Sequence, residues 1–375
     1  MLKKMLMCFC LFAYMLGVSA GTDGVVEDNK KGDVAVKNLT RAMTLLDNTI
    51  DKCFKGSDLH MCDLYHLGNG RQEGTADVWP YTAAMEAVNG VMEALQTLKG
   101  NCPELYAKNM ERYKCLMARL FDNLDYYKGT YTLTSYTQTK EWSVYGVHRS
   151  NTKGTAKVEG IENVYDDQMW LVRELVRAYR NTGEKRYLVE AEYLADYVID
   201  GWDCTLDADG HENGGITWGP GYNSKHSCSN APIISPLVWL SQIYKDSKDK
   251  AVWRYVAADG KRKSKKISKH DLYLMFAEKV YEWQKRKLMN EKTGCYWDML
   301  GADGKMRYEN VGGKRYRANV PNGGPVGTEF TYNSGTMLCG AVDLLQVTGS
   351  NVYRTDLTQL AKATYLNFRG KARTI

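Results

Sequence analysis

The sequence predicts a mostly helical fold assembled from paired helices, and three observations predict it. Apolar residues recur at spacings of three and four along nearly the whole chain, the mark of one buried helix face. Two segments, "LVRAYRNTGEKRYLVEAEYLA" from Leu175 and "AVDLLQVTGSNVYRTDLTQLA" from Ala341, repeat one pattern of Thr-Gly, then Tyr, then Leu-Ala at matching distances. Strand-like alternation is confined to short stretches around Asp-Gly turns.

Taken in order, the helix-period stretches begin near 33–53. They continue on Ala84, Val88, Val91, Leu95 and Leu98, then on Tyr113, Leu116, Leu120 and Leu124. Met169, Val172, Val176 and Tyr179 form the next stripe, followed by Leu188, Ala191, Leu194 and Val198. Four more stretches lie near 233–246, 271–289, 331–347 and 353–367. Gly183 and Gly349 stand where a helix ends in a left-handed residue, so each repeat reads as an αα-hairpin. Stacked hairpins form either an open solenoid or a closed ring. The links 128–163 and 200–230 are too long for simple turns and rich in Gly, Thr, Asn and aromatics, the kind of segment that carries function.

With 375 residues, 44% hydrophobic and 25% charged, the chain can bury a large core. Residues 1–20, "MLKKMLMCFCLFAYMLGVSA", run from Lys3 and Lys4 through an apolar stretch to Val18-Ser19-Ala20 and read as a cleavable leader. Gly21 and Thr22 follow where a lipoprotein would carry a cysteine. No later stretch approaches eighteen apolar residues, and the end "KARTI" offers no tail for a lipid anchor. The expectation is a soluble monomer that is secreted, periplasmic or cell-surface, with one domain over 21–375. No Pro/Ser-rich linker divides that stretch.

Ten cysteines become eight once Cys8 and Cys10 leave with the leader. Cys53 with Cys62 and Cys102 with Cys115 are the local pairs an oxidising compartment could join; each also reads as an ordinary core residue. Without Lys3 and Lys4 the formal charge falls from +6 to +4, too mild for a nucleic-acid partner. Basic residues cluster in "KRKSKKISKH", Lys261 to His270, which reads as a solvated loop, with an acidic polymer as the alternative occupant. Tyrosines number 26 and tryptophans 9 against 7 phenylalanines, so most rings carry a polar handle that suits helix interfaces and sugar-stacking grooves alike.

The chemistry centres on "NVYDDQMWLVRELVRAY", where Asp166 and Asp167 stand side by side as a helix begins. Acidic residues in a first turn can serve the helix dipole alone. Two carboxylates forced together also resist double ionisation, leaving one protonated beside one charged, the division of labour that glycoside hydrolysis requires. Downstream, "HENGGITWGPGYNSKHSCSNAP" offers Gly214 and Gly215 for close backbone approach, Trp218 and Tyr222 as stacking rings, and Lys225 and Asn230 as hydrogen-bonding groups. Taken alone, it could equally be a plain surface loop.

The run "YDDQMWLVRELVRAYRNTGEKRYLVEAEYLADYVIDGWD", followed by Gly-Gly, Trp and "K-x-S-x-S-N-A", resembles glycoside hydrolase family 76, the endo-α-1,6-mannanase family. "FTYNSGTMLCGAVDLL", Phe330 to Leu345, is similar to that family's Tyr-Asn-x-Gly helix start. The likeness spans about Val78 to Phe368. It implies an (α/α)6 toroid and retaining hydrolysis of α-mannan without cofactor or metal, with Asp166 as nucleophile and Asp167 as acid/base. Trp79, Tyr296, Trp297, Tyr332 and Asn333 are further lining residues. Nine helical stretches are counted against the twelve of a closed ring; either more helices lie in unpatterned segments or the ring is incomplete towards the C-terminus. Two rivals share this reading: a transglycosylase on the same scaffold, and a non-catalytic mannan-binding helical protein.

Other constellations are weak. Cys53, His60, Cys62 and His66 fit no compact zinc spacing. "DADGHE", Asp207 to Glu212, places its glycine too early for a calcium loop and reads as an Asp-Gly turn.

Overall fold

The structure, a computed structural model, describes residues 24–369, with side chains from Gly32 onward. The expected leader at 1–20 and the "KARTI" end lie outside the described residues. Among the described residues nine α-helices occupy the nine expected stretches: α1 Gly24–Cys53, α2 Val78–Thr97, α3 Pro103–Leu124, α4 Tyr165–Thr182, α5 Lys185–Asp200, α6 Ile234–Ile243, α7 Lys269–Leu288, α8 Thr331–Thr348 and α9 Asn351–Phe368.

Both repeat glycines adopt the left-handed conformation expected of them. Gly183 ends α4 at φ 78° and donates to the Tyr179 carbonyl; Gly349 ends α8 at φ 67° and donates to that of Leu345. Only glycine holds such an angle without strain, so each helix stops cleanly and its partner starts two residues later. The pairs α2 with α3, α4 with α5, α6 with α7, and α8 with α9 pack closely, and α2, α4, α6 and α8 pack in succession on one another. The chain is therefore a layered stack of helix pairs.

Three hairpins depart from the reading of the links. Residues 128–145 hold two seven-residue strands, Lys128–Thr134 and Thr139–Tyr145. Their turn is Ser135-Tyr136-Thr137-Gln138, without the glycine that marks the turns of the other two, so the alternation went unread. The basic segment is not a loop: Lys250–Val256 pairs antiparallel with Arg262–Ser268 around Asp259-Gly260. A third hairpin pairs Tyr308–Val311 with Lys314–Arg317. A small sheet joins Asn322–Val326, Met299–Ala302 and Lys225–His226, fastening the 200–230 link to the segment before α8.

One charged seam runs between α2 and α4. Glu174 is fully buried, and its carboxylate accepts from Arg177 Nη1 at 2.9 Å and from Asn89 Nδ2 at 2.9 Å. Arg177 also grips both oxygens of Glu93, at 2.8 and 2.7 Å. A buried carboxylate persists only with its acceptor sites this fully used.

All eight described cysteines are free. Cys102 caps α3 and Cys115 lies three turns inside it; at about 1.5 Å of rise per residue the helix holds them far beyond disulfide reach. That pairing is thereby ruled out. Cys53 and Cys62, by contrast, flank the two-residue ladder of Phe54 with Met61, the Cys62 amide donates to the Cys53 carbonyl at 2.9 Å, and their thiols are hydrogen-bonded neighbours.

Candidate active site

Backbone bonds bring the starts of α2 and α4 to one end of the stack. The Val78 amide at the start of α2 donates to the Val147 carbonyl at 2.9 Å, and the Val147 amide donates to the Glu162 carbonyl at 2.9 Å, three residues before α4. Trp79, half-buried in the first turn of α2, therefore stands at the same end as Asp166 and Asp167.

No side chain caps α4, whose N-cap position is Val164; Asp166 instead turns back so that its Oδ1 accepts from the Asp167 amide at 3.1 Å. Asp166 is half-buried and Asp167 is 7% exposed. The 200–230 link folds over this helix start. Tyr165 donates its amide to the Trp218 carbonyl at 2.8 Å, and the Trp218 indole N–H reaches Asp166 Oδ2 at 3.4 Å. Trp218 in turn lies between Tyr222, 4.7 Å away centroid to centroid, and His226, stacked at 5.0 Å. Gly219 is what lets the link come so close: a β-carbon there would stand 3.1 Å from Val164 Cα and collide with the Asn163 carbonyl.

Tyr332, in the first turn of α8, completes the cluster. Burial drives its hydroxyl well above the ordinary tyrosine range; Cys228, Asp298 and Asp166 push it in the same direction, and Asp298 shares a hydrogen bond with it. Tyr222 is also raised, by burial first and then by Asp166 and Glu162. Both phenols are thus neutral donors across any physiological pH. Asp166, Trp218, Tyr222 and Tyr332, all read from sequence as site residues, converge. His226, Asp298 and Glu162 join them and were not anticipated. Asp298 directly follows Tyr296 and Trp297, both expected here, so its place beside two rings was the available signal.

The remaining expected residues lie in the scaffold beneath. Lys225 is 2% exposed; its ammonium donates to Asp203 Oδ2 at 2.9 Å and to the Gly214 carbonyl at 2.6 Å. Burial lowers its pKa while Asp203 opposes the drop. Asn230 is fully buried and spends its amide on the backbone of Ile216, accepting from the N–H at 2.8 Å and donating to the carbonyl at 2.9 Å. Gly214 and Gly215, at φ 70° and 77°, do allow close approach, but to a protein ring: a β-carbon on Gly214 would sit 2.5 Å from Trp283 Cδ1, and one on Gly215 would enter the same indole. Asn333 is buried and donates to the carbonyls of Tyr296 and Trp297 at 3.4 and 3.3 Å; Tyr296 is buried, and Trp297 half-buried. These residues hold the link in place under the rings.

Arg317 anchors the outer side of the link. Its guanidinium donates to the carbonyls of Pro220, at 3.1 Å, and Tyr222. Elsewhere, the exposed residues Asp207, Asp209 and His211 bring ligand-type atoms within 4.8 Å of one another. The Asp207 carboxylate there accepts from the amides of Asp209 and His211, the Asp-Gly turn expected from the sequence. No helix among the described residues is long and apolar enough to cross a membrane.

The family model of Glycosyl hydrolase family 76 matches residues 81–257 and 265–374. Among solved structures the chain is similar to a family 76 glycoside hydrolase (mannosidase) of Bacteroides thetaiotaomicron VPI-5482, at 20% identity over 88% of this chain and 72% of that one, with a TM-score of 0.56. It is also similar to a family 76 glycoside hydrolase from a bovine Bacteroides thetaiotaomicron strain, at 19% identity over 88% of this chain and 57% of that one, TM-score 0.57. A third is an inactive variant of an α-1,6-mannanase of Salegentibacter sp. HEL1_6, with two consecutive aspartates replaced by asparagine and α-1,6-mannotriose bound. It is 21% identical over 88% of this chain and 69% of that one, TM-score 0.51. At these identities the likeness establishes the fold. No curated protein matches the sequence.

Proposed function

The chain belongs to glycosyl hydrolase family 76, and from that membership we propose that it is an endo-acting α-1,6-mannanase that cleaves mannan backbones with retention of anomeric configuration. The observation that carries the proposal is the pairing of Asp166 with Trp218 at the start of α4, with Tyr222 and Tyr332 beside them. Acidic groups beside rings that carry polar handles are what a sugar-cleaving site needs.

In this reading the Asp166 carboxylate attacks the anomeric carbon while Asp167 protonates the departing oxygen. A covalent mannosyl-enzyme forms, and Asp167 then takes a proton from the water that releases the sugar. The Trp218 N–H holds Asp166 in its attacking orientation, and the neutral hydroxyls of Tyr222 and Tyr332 donate to sugar oxygens. Trp79 extends the groove. The helices α2, α4, α6 and α8 form the inner wall of an (α/α) toroid and their partners its outer wall. Residues 21–375 act as a single catalytic domain, exported by the leader at 1–20.

The test is incubation of the protein with unbranched α-1,6-mannan, following reducing ends and the anomer first released by NMR. New reducing ends with the α anomer first are expected. Release of the β anomer would remove the covalent step, and the absence of new ends without an added sugar acceptor would replace hydrolysis by transfer.

A further inference from the structure

The hairpin formed by Lys250–Val256 and Arg262–Ser268 has no part in the chemistry above, yet it holds the chain's electrostatic asymmetry. Residues 245–269 carry ten lysines and arginines against three aspartates, a surplus of seven, whereas the whole chain has a formal charge of +6. Outside this segment the protein is close to neutral. The family match stops at residue 257 and resumes at 265, so the tip of the hairpin is a feature of this chain and not of the family pattern.

The charge is presented on a fixed frame. Register places Trp253 opposite Lys265 and Tyr255 opposite Lys263 on one face, and Val252 opposite Lys266 on the other. Lys261, Lys263, Lys265 and Lys266 are all exposed. Asp259 lies 3.4 Å from the ammonium of Lys261 and 3.8 Å from that of Lys263, while Lys265 and Lys266 have no carboxylate within ion-pair distance among the described residues. Arg262 pins the tip: it donates to the Tyr136 carbonyl at 3.1 Å, pairs with Glu309, and stacks over the Tyr316 ring at 4.6 Å. Next to Tyr316, Arg317 clamps the carbonyl of Tyr222. The cationic strip is thus linked, through one neighbouring hairpin, to the ring that faces Asp166.

We infer that this hairpin is a docking surface for acidic groups on the polymer, and that the preferred substrate is an α-mannan bearing phosphate esters rather than a neutral one. The inference rests on the mannanase reading for the identity of the polymer. Lysines on a hairpin lack the planar fork that fixes one partner geometry, so they suit substituents scattered along a chain. Their attraction raises the local concentration of an anionic polymer and is screened by salt. The half-buried rings of Trp253 and Tyr255, 4.6 Å apart on the lysine face, add an apolar surface for sugar.

The experiment measures binding of the full-length Asp166→Asn chain, immobilised, to a phosphorylated α-1,6-mannan, to the same mannan before phosphorylation, and to duplex DNA. The phosphorylated polymer should bind about tenfold more tightly than its parent at low ionic strength, with the preference mostly lost at about 0.5 M salt. The triple substitution Lys263→Glu, Lys265→Glu, Lys266→Glu should abolish the preference when added to this chain, and should leave kcat/KM on the unmodified polymer unchanged when made in the wild type. Lys265→Gln with Lys266→Gln, which leaves the turn untouched, should lower the preference in the same direction should the triple variant fail to fold. Equal affinity for the two mannans, a preference that survives both variants, or DNA binding as tight as the phosphorylated mannan would each overturn the inference. A chain that prefers the phosphorylated polymer but releases no reducing ends as wild type would overturn the hydrolase reading and leave this one standing.

Discussion

The indole nitrogen of Trp218 lies 3.4 Å from Oδ2 of Asp166, and the carbonyl of the same tryptophan accepts the amide of Tyr165 at 2.8 Å. One residue thus fastens both the backbone and a side chain of the α4 start. Replacing Trp218 with Phe keeps an aromatic surface and removes the donor. A single hydrogen bond to a charged group contributes about 1.5–3 kcal/mol, so kcat should fall by about tenfold or more, with KM changed by less than about threefold. Steady-state kinetics on α-1,6-mannan decide it; a loss confined to KM would mean that Trp218 serves only as a sugar platform.

The α2–α4 seam makes a different prediction. Arg177→Met leaves Glu174, which is fully buried, without its nearest cationic partner, Arg173 Nε standing farther off at 3.6 Å. Removing one member of such a pair costs about 3–5 kcal/mol. Urea unfolding should therefore show a midpoint shift of that size, and the double variant with Glu174→Gln should recover a large part of it. A shift below about 1 kcal/mol would place the seam among weak surface ion pairs.

Asp200, at the end of α5, gives a dependence on pH. Burial raises its pKa, against the hydrogen bonds from Gln138 and Ser135 that favour the charged form. A carboxyl raised on folding stabilises the native state most below its unfolded value, near 3.9, and loses that contribution as pH climbs through the raised folded value. Asp200→Asn removes this loss while keeping an acceptor for Gln138 Nε2, now at 2.8 Å. The melting temperature of the variant relative to wild type should therefore rise between about pH 4 and pH 7. A constant difference across that window would contradict it.

Cys53 and Cys62 sit opposite one another at the end of a two-residue ladder. Mild oxidation with a glutathione redox pair should join them before any other pair, with the loss of two hydrogens detected on one linked peptide. Cys204 and Cys295, both buried, should stay reduced and unmodified in the folded protein. Linkage of Cys102 to Cys115 instead would require α3 to unravel.

The helices were legible because each must bury a stripe, and burial writes its period into the sequence. Gly183 and Gly349 were legible because the left-handed angle selects glycine almost alone. The hairpin at 128–145 was not, since its turn lacks glycine and one side of its strands exposes only threonines and Glu141. At the candidate site, the rings and the acid pair could be read from their chemistry. Lys225 and Asn230 have the chemistry of ligand-binding groups, but the same hydrogen-bonding capacity satisfies the backbone of Gly214 and Ile216. Residue type cannot tell these two uses apart. Asp298 and His226 went unread because what matters is their distance to Tyr332 and Trp218, set by the sheet joining residues 225–226 to 299–302.

The flat fit of Gly214 and Gly215 on the Trp283 indole has a practical corollary for protein engineering. Trp283 belongs to α7, well separated in sequence from the segment it supports. Grafting residues 201–230 from a relative to alter which glycan is cut would therefore need the matching residue of α7 to travel with the graft; otherwise the imported segment would rest on a surface cut for another shape.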